Sequence, residues 1–317
     1  MSLKTNNLQV TFLQKKEIRA VRGIDFQLSR NERIALVGES GSGKSAFAKS
    51  LLLFHSTRNV CVSGEILLDG APITQSARGK KIGFVFQDPM SALNPTMRIG
   101  RQIAECLPKN RKQEALTLLQ EVRIPQPEER LSQYPHELSG GMRQRVMLAI
   151  ALAGKPDYLI MDEPTTALDS TTQKQVLDLV LQIQKERGMG ILLITHDLKL
   201  AASYTENILV MYAGKIVERG PSNQIFKNPK HPYTISLLGS IPKNRKKLTP
   251  IPGEPPDPRD LPQGCAFHPR CPRATQMCKL KEPPFHGKKH EIACYHIDLD
   301  QKPLQELQDQ EQILPRT

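Results

Sequence analysis

Short apolar runs alternate with longer amphipathic stretches through the first 220 residues. This pattern predicts an α/β fold, because short apolar runs are typical of buried strands and longer periodic stretches are typical of helices. Helices are predicted to follow Gly43, Gly141, Ser170 and Asp197. The apolar runs predict strands at Leu8–Phe12, Ala20–Leu28, Arg33–Val37, Gly64–Leu68, Ile82–Phe86, Tyr158–Met161, Ile191–Thr195, Ile208–Met211 and Lys215–Glu218.

Two stretches depart from this alternation. Residues 99–134 are polar, helix-prone and interrupted by prolines, which predicts a small helical insertion between strands. Residues 241–296 hold 11 of the 25 prolines, so long helices and central strands are excluded there. Something other than a large apolar core must order that segment. The last twenty residues are rich in Asp, Gln and Glu and predict a frayed tail or one solvated helix.

These features divide the chain into three parts. The main domain covers residues 1–240 and includes a helical subdomain at about residues 97–150. A Cys/Pro-rich extension follows at residues 241–296, and a polar tail covers residues 297–317.

The chain of 317 residues carries 44 basic and 32 acidic side chains, a net charge of +12. This excess suggests an anionic partner, although from charge alone ordinary solubility is the favoured explanation. The longest nearly apolar stretch, at residues 146–153, has eight residues, whereas a spanning helix needs about 20. The N-terminus has no apolar signal segment. We therefore expect a cytoplasmic location and no membrane span.

A glycine-rich loop follows the strand predicted at Arg33–Val37 and precedes a helix. The spacing G-x4-G-K-S is typical of a loop that cradles phosphate, because glycines let backbone N–H groups approach the anion. Lys44 can reach the β- and γ-phosphates, and the Ser45 hydroxyl can ligate Mg²⁺. The predicted contacts with ATP and Mg²⁺ are Gly38, Ser40, Gly41, Ser42, Gly43, Lys44, Ser45 and Ala46.

Two carboxylates follow the apolar run Tyr158–Met161. Ligands bind at the carboxyl ends of parallel strands, so these acids are expected beside the phosphate loop. Asp162 would hold Mg²⁺, and Glu163 would polarise the attacking water as general base.

A second glycine pair begins another apolar helix, in the run Leu138–Arg145. Ser139, Gly140 and Gly141 are typical of an anion-binding helix start. One phosphate site does not need two such starts, so this one is expected to complete a site on another copy or a partner. The alternative is that Ser139 is an ordinary helix cap.

In combination, these motifs resemble the ATP-binding subunits of ABC transporters over residues 8–240. Gln87 resembles the Q-loop glutamine of that family, residues 167–169 with Asp169 resemble its D-loop, and His196 resembles its switch histidine. Phe12 lies where the family often stacks an aromatic ring on adenine, although a core position is the alternative.

The resemblance implies a P-loop NTPase fold of ABC type. Its parts are a mixed sheet core, an antiparallel β subdomain, an inserted helical subdomain and here a Pro/Cys-rich C-terminal extension. It also implies a head-to-tail dimer that hydrolyses ATP with Glu163, His196, Gln87 and Lys44. Each ATP would lie between the phosphate loop of one subunit and the signature of the other. That signature comprises Ser139, Gly140, Gly141, Met142 and Gln144.

The run Phe86–Gly100 resembles the Q-loop region of oligopeptide and dipeptide importers, which in that family contacts the coupling helix of the permease. The segments 231–234, 251–256 and 264–265 resemble the extension of the same branch. Met142 replaces the usual signature glutamine and resembles one of two sister ATPases, which implies a heterodimer. A neutral local substitution is the alternative.

Four cysteines in the extension have the spacing C-x5-C-x6-C-x15-C. Thiolates in a segment with little apolar core can order it around a metal. The C-x2-C pairs common in structural zinc sites are absent, and four cysteines also suit an iron–sulfur cluster. The family resemblance implies a [4Fe–4S] cluster, with zinc second and free thiols last. The ligands would be Cys265, Cys271, Cys278 and Cys294.

The leading interpretation is an ATPase subunit that powers peptide import from the cytoplasmic face of the membrane. Its expected partners are a sister ATPase, two permeases and an external solute-binding protein, with no nucleic acid. One alternative is a non-transport ABC ATPase acting on nucleic acid or ribosomes. Others are an importer of nickel or glutathione and a regulatory module that uses ATP as a switch.

Overall fold

The computed structural model describes residues 1–54, 59–107, 111–166, 168–240 and 251–296. Ala167 of the expected D-loop, residues 241–250 and the polar tail 297–317 lie outside the described residues. The strands are β1 (Ser2–Phe12), β2 (Ile18–Ser29), β3 (Arg33–Val37), β4 (Val60–Leu68), β5 (Ala71–Pro72), β6 (Ile82–Val85), β7 (Tyr158–Asp162), β8 (Gly190–Thr195), β9 (Asn207–Tyr212), β10 (Lys215–Pro221), β11 (Phe285–His286) and β12 (Glu291–Ala293).

Helices connect most of these strands. They are α1 (Lys44–Ser50), α2 (Pro89–Ala92), α3 (Ile99–Glu105), α4 (Arg111–Glu121), α5 (Pro127–Arg130), α6 (Gly140–Leu152), α7 (Ser170–Arg187), α8 (Leu198–Tyr204), α9 (Ser222–Lys227), α10 (Pro232–Gly239) and α11 (Gln276–Leu280). Short 3₁₀ turns lie at Gln75–Ala77, Pro135–Glu137 and His268–Arg270.

The predicted strands are all present, and β3 has the predicted bounds. β1 differs most, because it begins at Ser2 rather than at Leu8. Leu3 and Thr5 are both buried, and the Thr5 hydroxyl donates to the carbonyl of Ile24 at 2.8 Å. Because Thr5 is polar, the pattern of apolar and polar residues does not reveal that this early part of the strand is buried.

The chain forms two compact units. The first unit comprises residues 1–4, 27–33 and 67–194. Within it, β7 pairs in parallel with β6 and with β8, and its five residues are all buried. Helices α3 to α6 belong to this unit and supply the expected helical insertion.

The second unit comprises residues 5–26, 34–66 and the described residues from 195 onward. Within it, β3 pairs in parallel with β9, β9 pairs antiparallel with β10, and β10 pairs antiparallel with β12. This part of the sheet is therefore mixed. Strands β2, β1 and β4 are neighbours in that order in a separate sheet.

The extension is held by a few buried side chains rather than by a large apolar core, as expected. The expectation that it holds no central strand was wrong, because β12 lies between β10 and β11 in the sheet. Phe267 is 1% exposed, with its ring centroid 5.2 Å from that of Tyr212 and 5.5 Å from that of Tyr233. β12 also adds to the sheet, with Ile292 opposite Glu218. One buried aromatic and one short strand therefore anchor a segment that is otherwise rich in proline.

Candidate nucleotide-binding site

The phosphate loop, residues 38–45, leads from β3 to α1 in the second unit. The β3 residues Ala35 to Val37 are fully buried, which fixes the start of the loop. Gly43 has φ +105°, and a Cβ at this position would collide with the carbonyl oxygen of Ala20. Only glycine combines that backbone angle with such a close approach. The loop therefore has the backbone geometry that the sequence spacing predicts.

Lys44 is the first residue of α1 and is only 4% exposed. Its Nζ donates to the carbonyl of Gly38 at 2.8 Å and to that of Glu39 at 2.9 Å. The ammonium therefore lies against the backbone of the loop, where a positive charge can attract the phosphates of a nucleotide.

Asp162 and Glu163 lie at the carboxyl end of β7 in the first unit. Asp162 is 4% exposed and ends the strand. Glu163 has φ +47°, which is unusual for a residue other than glycine and costs conformational energy. Its N–H donates to the carbonyl of Ile194 at 3.0 Å, so the neighbouring strand helps to hold this backbone.

Gln87 lies beside Glu163, because it follows β6, the strand parallel to β7. The Nε2 of Gln87 donates to Oε2 of Glu163 at 3.3 Å, and the Thr166 hydroxyl donates to the same oxygen at 3.2 Å. The structure thus brings together two of the side chains that sequence analysis assigned to hydrolysis.

The predicted signature begins α6. The Ser139 side chain accepts the N–H of Met142 at 3.3 Å, so it does cap this helix, as the alternative interpretation expects. A cap does not exclude an anion-binding role for the adjoining glycines. A Cβ on Gly141 would lie 2.8 Å from the Thr172 side chain, which explains a small residue there. Gln144 is 2% exposed, and its Nε2 has no hydrogen-bond partner among the described residues.

Asp169 precedes α7 and caps it, accepting the N–H groups of Thr171 and Thr172, each at 3.0 Å. The hydrogen bonds from Thr172 contribute most to lowering the pKa of this carboxyl below its usual value. His196 follows β8 in the second unit and is exposed. Phe12 ends β1 and is half-buried. The roles assigned to these residues stay predictions.

A contact that sequence reasoning missed joins the phosphate loop to the extension. The Arg270 guanidinium donates to both Glu39 oxygens, at 2.8 and 3.2 Å. The two residues are 231 positions apart, and neither belongs to a motif that pairs them. No local signal in the sequence could have revealed this ion pair.

The four cysteines of the extension also belong to the second unit. Burial raises the pKa of Cys265 to about 11, and the neighbouring thiols raise it further, although the N–H of Phe267 opposes the rise. Cys271 and Cys294 likewise accept N–H groups from residues two positions later, Arg273 and His296. Metal-ligating side chains are commonly held by hydrogen bonds to neighbouring groups.

This donor set fits a thiolate-bound group in its chemistry. The four thiols are not drawn together into a metal site, because no three His, Cys, Asp or Glu side chains of the described ranges lie close enough to hold one metal ion.

Among the described residues, no helix is both long enough and apolar enough to cross a bilayer.

Two family profiles match the sequence. The profile described as ABC transporter matches residues 21–166. The profile described as the C-terminal region of oligopeptide/dipeptide transporters matches residues 217–278. The second match spans three of the four extension cysteines.

Curated relatives resemble nearly the whole chain. The oligopeptide transport ATP-binding protein OppD of Bacillus subtilis is 45% identical over 303 residues, which cover 89% of this chain and 85% of that protein. The dipeptide transport ATP-binding protein DppD of the same organism is 43% identical, covering 93% of this chain and 95% of that protein.

Solved structures of ATP-binding cassettes share the fold. A cassette solved as a dimer in a post-hydrolysis state with ADP and phosphate has a TM-score of 0.61 and 26% identity, covering 69% of this chain and 98% of its own. The protein cbiO1 from Clostridium perfringens, part of an ABC transporter complex, has a TM-score of 0.60 and 28% identity, covering 71% of this chain and 90% of its own.

Proposed function

Because the chain belongs to the ABC transporter ATP-binding proteins of the oligopeptide/dipeptide class, we propose specific roles for its site residues in peptide import. The chain is the ATP-hydrolysing subunit of a peptide importer and acts in a cassette dimer. The observation that carries this conclusion is the presence in one chain of both an ABC cassette and the C-terminal region of peptide transporters.

ATP with Mg²⁺ is the expected substrate of such a cassette. We assign the phosphates to the loop 38–45 and to Lys44, and Mg²⁺ to Ser45 and Asp162. Glu163 polarises the attacking water as general base. The hydrogen bond from Gln87 to Glu163 supports this assignment, because it orients the carboxylate that must face the water. His196 contacts the γ-phosphate, and Phe12 stacks on adenine.

We infer that the signature, Ser139 to Gln144, completes the ATP site of the other cassette. The D-loop residue Asp169 belongs to the same interface. Two head-to-tail cassettes then enclose each ATP, and binding closes the dimer that hydrolysis reopens. Met142 favours a sister ATPase of different sequence as the second cassette, so we propose a heterodimer.

Cassettes of peptide importers work with membrane permeases, and this chain associates peripherally with the membrane. We propose that it lies on the cytoplasmic face, with two permeases and an external solute-binding protein completing the importer. The net charge of +12 favours a position near anionic headgroups. Peptides are the proposed solute rather than nickel or glutathione, and no nucleic acid partner is needed.

For the extension we propose a [4Fe–4S] cluster bound by Cys265, Cys271, Cys278 and Cys294, with zinc as the second choice. Either group would supply a structural cross-link between segments that share little apolar core. The N–H groups that point at three of the sulfurs support thiolate ligation.

Recovery of this chain from solubilised native membranes tests the assembly. We expect two multi-span permeases and a different cassette protein to co-purify with it. Recovery of ribosomal or DNA-bound proteins without permeases would contradict the transport assembly, and recovery of only this cassette would contradict the heterodimer.

A matched pair of variants sharpens this experiment. Met90 lies in the Q-loop region and is 47% exposed, whereas Met277 lies in the extension and is 49% exposed. Met90→Glu is expected to reduce the amount of co-purified permease, since it places a charge on the surface assigned to the permease contact. Met277→Glu should leave that amount unchanged. Equal recovery with both variants would remove Met90 from the contact.

A further inference from the structure

The Arg270 side chain donates four hydrogen bonds to other described residues. Besides its two hydrogen bonds to Glu39, it donates to the Tyr212 hydroxyl at 3.3 Å and to the carbonyl of Pro252 at 2.9 Å. Its side chain is 5% exposed. Burial alone would lower the pKa of Arg270, but the hydrogen bonds to Glu39 and Tyr212 outweigh burial and raise it. The guanidinium therefore carries its charge in a position that these hydrogen bonds fix.

Glu39 is the second residue of the phosphate loop, directly after Gly38. Its side chain is 22% exposed, and its N–H donates to the Tyr233 hydroxyl at 2.8 Å. Tyr233 and Arg270 thus hold the backbone N–H and the carboxylate of Glu39. Both residues lie beyond the match to the ABC transporter profile, which ends at residue 166. A bidentate Arg–carboxylate pair fixes orientation as well as distance, so Arg270 restrains the loop where it leaves β3.

The extension also borders the space beside the loop. A cavity of about 320 Å³ in the second unit is lined by the loop residues Glu39 to Ser42 on one side and by residues 255–259 with Leu261 on another. Arg19, Ala20 and Gly214 complete much of its wall. The phosphate loop therefore faces a space whose boundary the extension helps to form.

A loop that must present N–H groups to phosphate binds better when its conformation is fixed before the ligand arrives, because binding then costs less ordering entropy. Breaking the partly buried Arg270–Glu39 pair removes that restraint. Loss of the restraint weakens nucleotide binding, whichever partner of the pair is removed.

We propose that Arg270 is a positioning residue of the nucleotide site, and that the extension, through the Arg270–Glu39 pair, sets the affinity of the chain's own phosphate loop for ATP. This inference rests on the proposed role of the loop in ATP binding. It gives the extension a part in the ATPase site itself, in addition to any cross-link that its cysteines hold.

The test is the equilibrium affinity of the full chain for ATP with Mg²⁺, measured by titration calorimetry. Arg270→Gln is expected to raise the dissociation constant about tenfold, and Glu39→Gln to raise it by a similar factor. The double variant should be no weaker than the single ones, because both changes remove the same pair. Arg270→Lys keeps the charge without the bidentate geometry and should restore part of the affinity.

Arg219→Gln is the matched control. Arg219 forms a more exposed ion pair with Glu291 of the extension at 2.8 Å, and neither residue belongs to the phosphate loop. Its loss should leave the ATP dissociation constant within about twofold of the wild-type value. If Arg270→Gln folds poorly, Glu39→Gln tests the same ion pair. In that variant Arg270 keeps its hydrogen bonds to Tyr212 and Pro252.

The outcomes separate this inference from the proposed function. Wild-type chain that binds no ATP would overturn the proposed function itself. Wild-type binding together with unchanged affinity in Arg270→Gln and Glu39→Gln would overturn only the positioning role. An equal loss of affinity in Arg219→Gln would also overturn it, because the effect would then follow from loosening the extension in general.

Discussion

Glu218 is a fully buried carboxyl group whose polar contacts are all supplied by nearby residues. It is 0% exposed, and its carboxylate accepts the N–H groups of Lys230 at 2.8 Å and His231 at 3.1 Å. Nε2 of His290 lies 2.6 Å from the same carboxylate. The two backbone N–H groups and the imidazole compensate this carboxyl group for lost hydration inside the second unit. One residue of β10 thus ties the start of α10 to the extension.

His231, next to this carboxylate, gives a prediction for the dependence of stability on pH. Burial lowers the pKa of His231 to about 4, although Glu218 opposes the shift. Its Nδ1 also accepts the N–H of Tyr233 at 3.1 Å, which requires that nitrogen to be unprotonated. Above the ordinary histidine pKa of about 6.5 the ring is neutral in both states, and stability is lost as pH falls from there towards 4.

The matched variant is His231→Asn, which keeps a helix-capping acceptor but does not titrate. Between pH 7 and pH 4.5 the wild-type free energy of unfolding should fall by about 2 kcal/mol more than that of the variant. Urea denaturation at the two pH values measures this difference. Parallel losses in the two proteins would show that His231 is not the group responsible.

At the scale of elements, the strand-loop-helix units were predictable and the extension was not. β7 and β8 are short apolar runs buried along their whole length, and β3 is buried at all but its first residue, so their composition alone identifies them. The phosphate loop was predictable because its glycine spacing has few other uses. Phe267 and β12 gave no such signal, since one buried ring and three residues of strand are too short to form a pattern.

The same distinction applies to the site. The family resemblance assigned both Gln87 and Glu163 to hydrolysis, and the structure shows that they follow neighbouring parallel strands. The Arg270–Glu39 pair could not be predicted, because it joins residues far apart in sequence and depends on how the extension folds back within the second unit. Contacts of this kind are set by tertiary packing rather than by local sequence.

The cysteines of the extension give a prediction at the element scale. The chain prepared without oxygen is expected to contain iron and to absorb broadly near about 400 nm. Cys271→Ser should remove both signals, because it removes one of four ligands. Cys61→Ser, at an exposed cysteine outside the extension, should keep them. Bound zinc without this absorbance would contradict the cluster and show that the cysteines hold zinc. The absence of both metals would show that the cysteines are free thiols.

At the scale of the whole molecule, the chain joins a nucleotide-hydrolysing cassette to an extension typical of peptide transporters. The cassette accounts for ATP chemistry, and the extension distinguishes this chain from minimal cassettes. The contacts of Arg270 with the phosphate loop indicate that these two parts act on one another, since a residue of the extension holds a residue of the loop.

The most direct test of peptide import powered by this chain is uptake of a labelled oligopeptide by cells whose own copy is replaced. Cells with the wild-type chain should accumulate the peptide. Cells with Glu163→Gln should lose uptake by about 100-fold or more, because the general base is absent while ATP still binds. Glu186→Gln, at an exposed acid on α7, should behave as wild type. Undiminished uptake with Glu163→Gln would contradict the account.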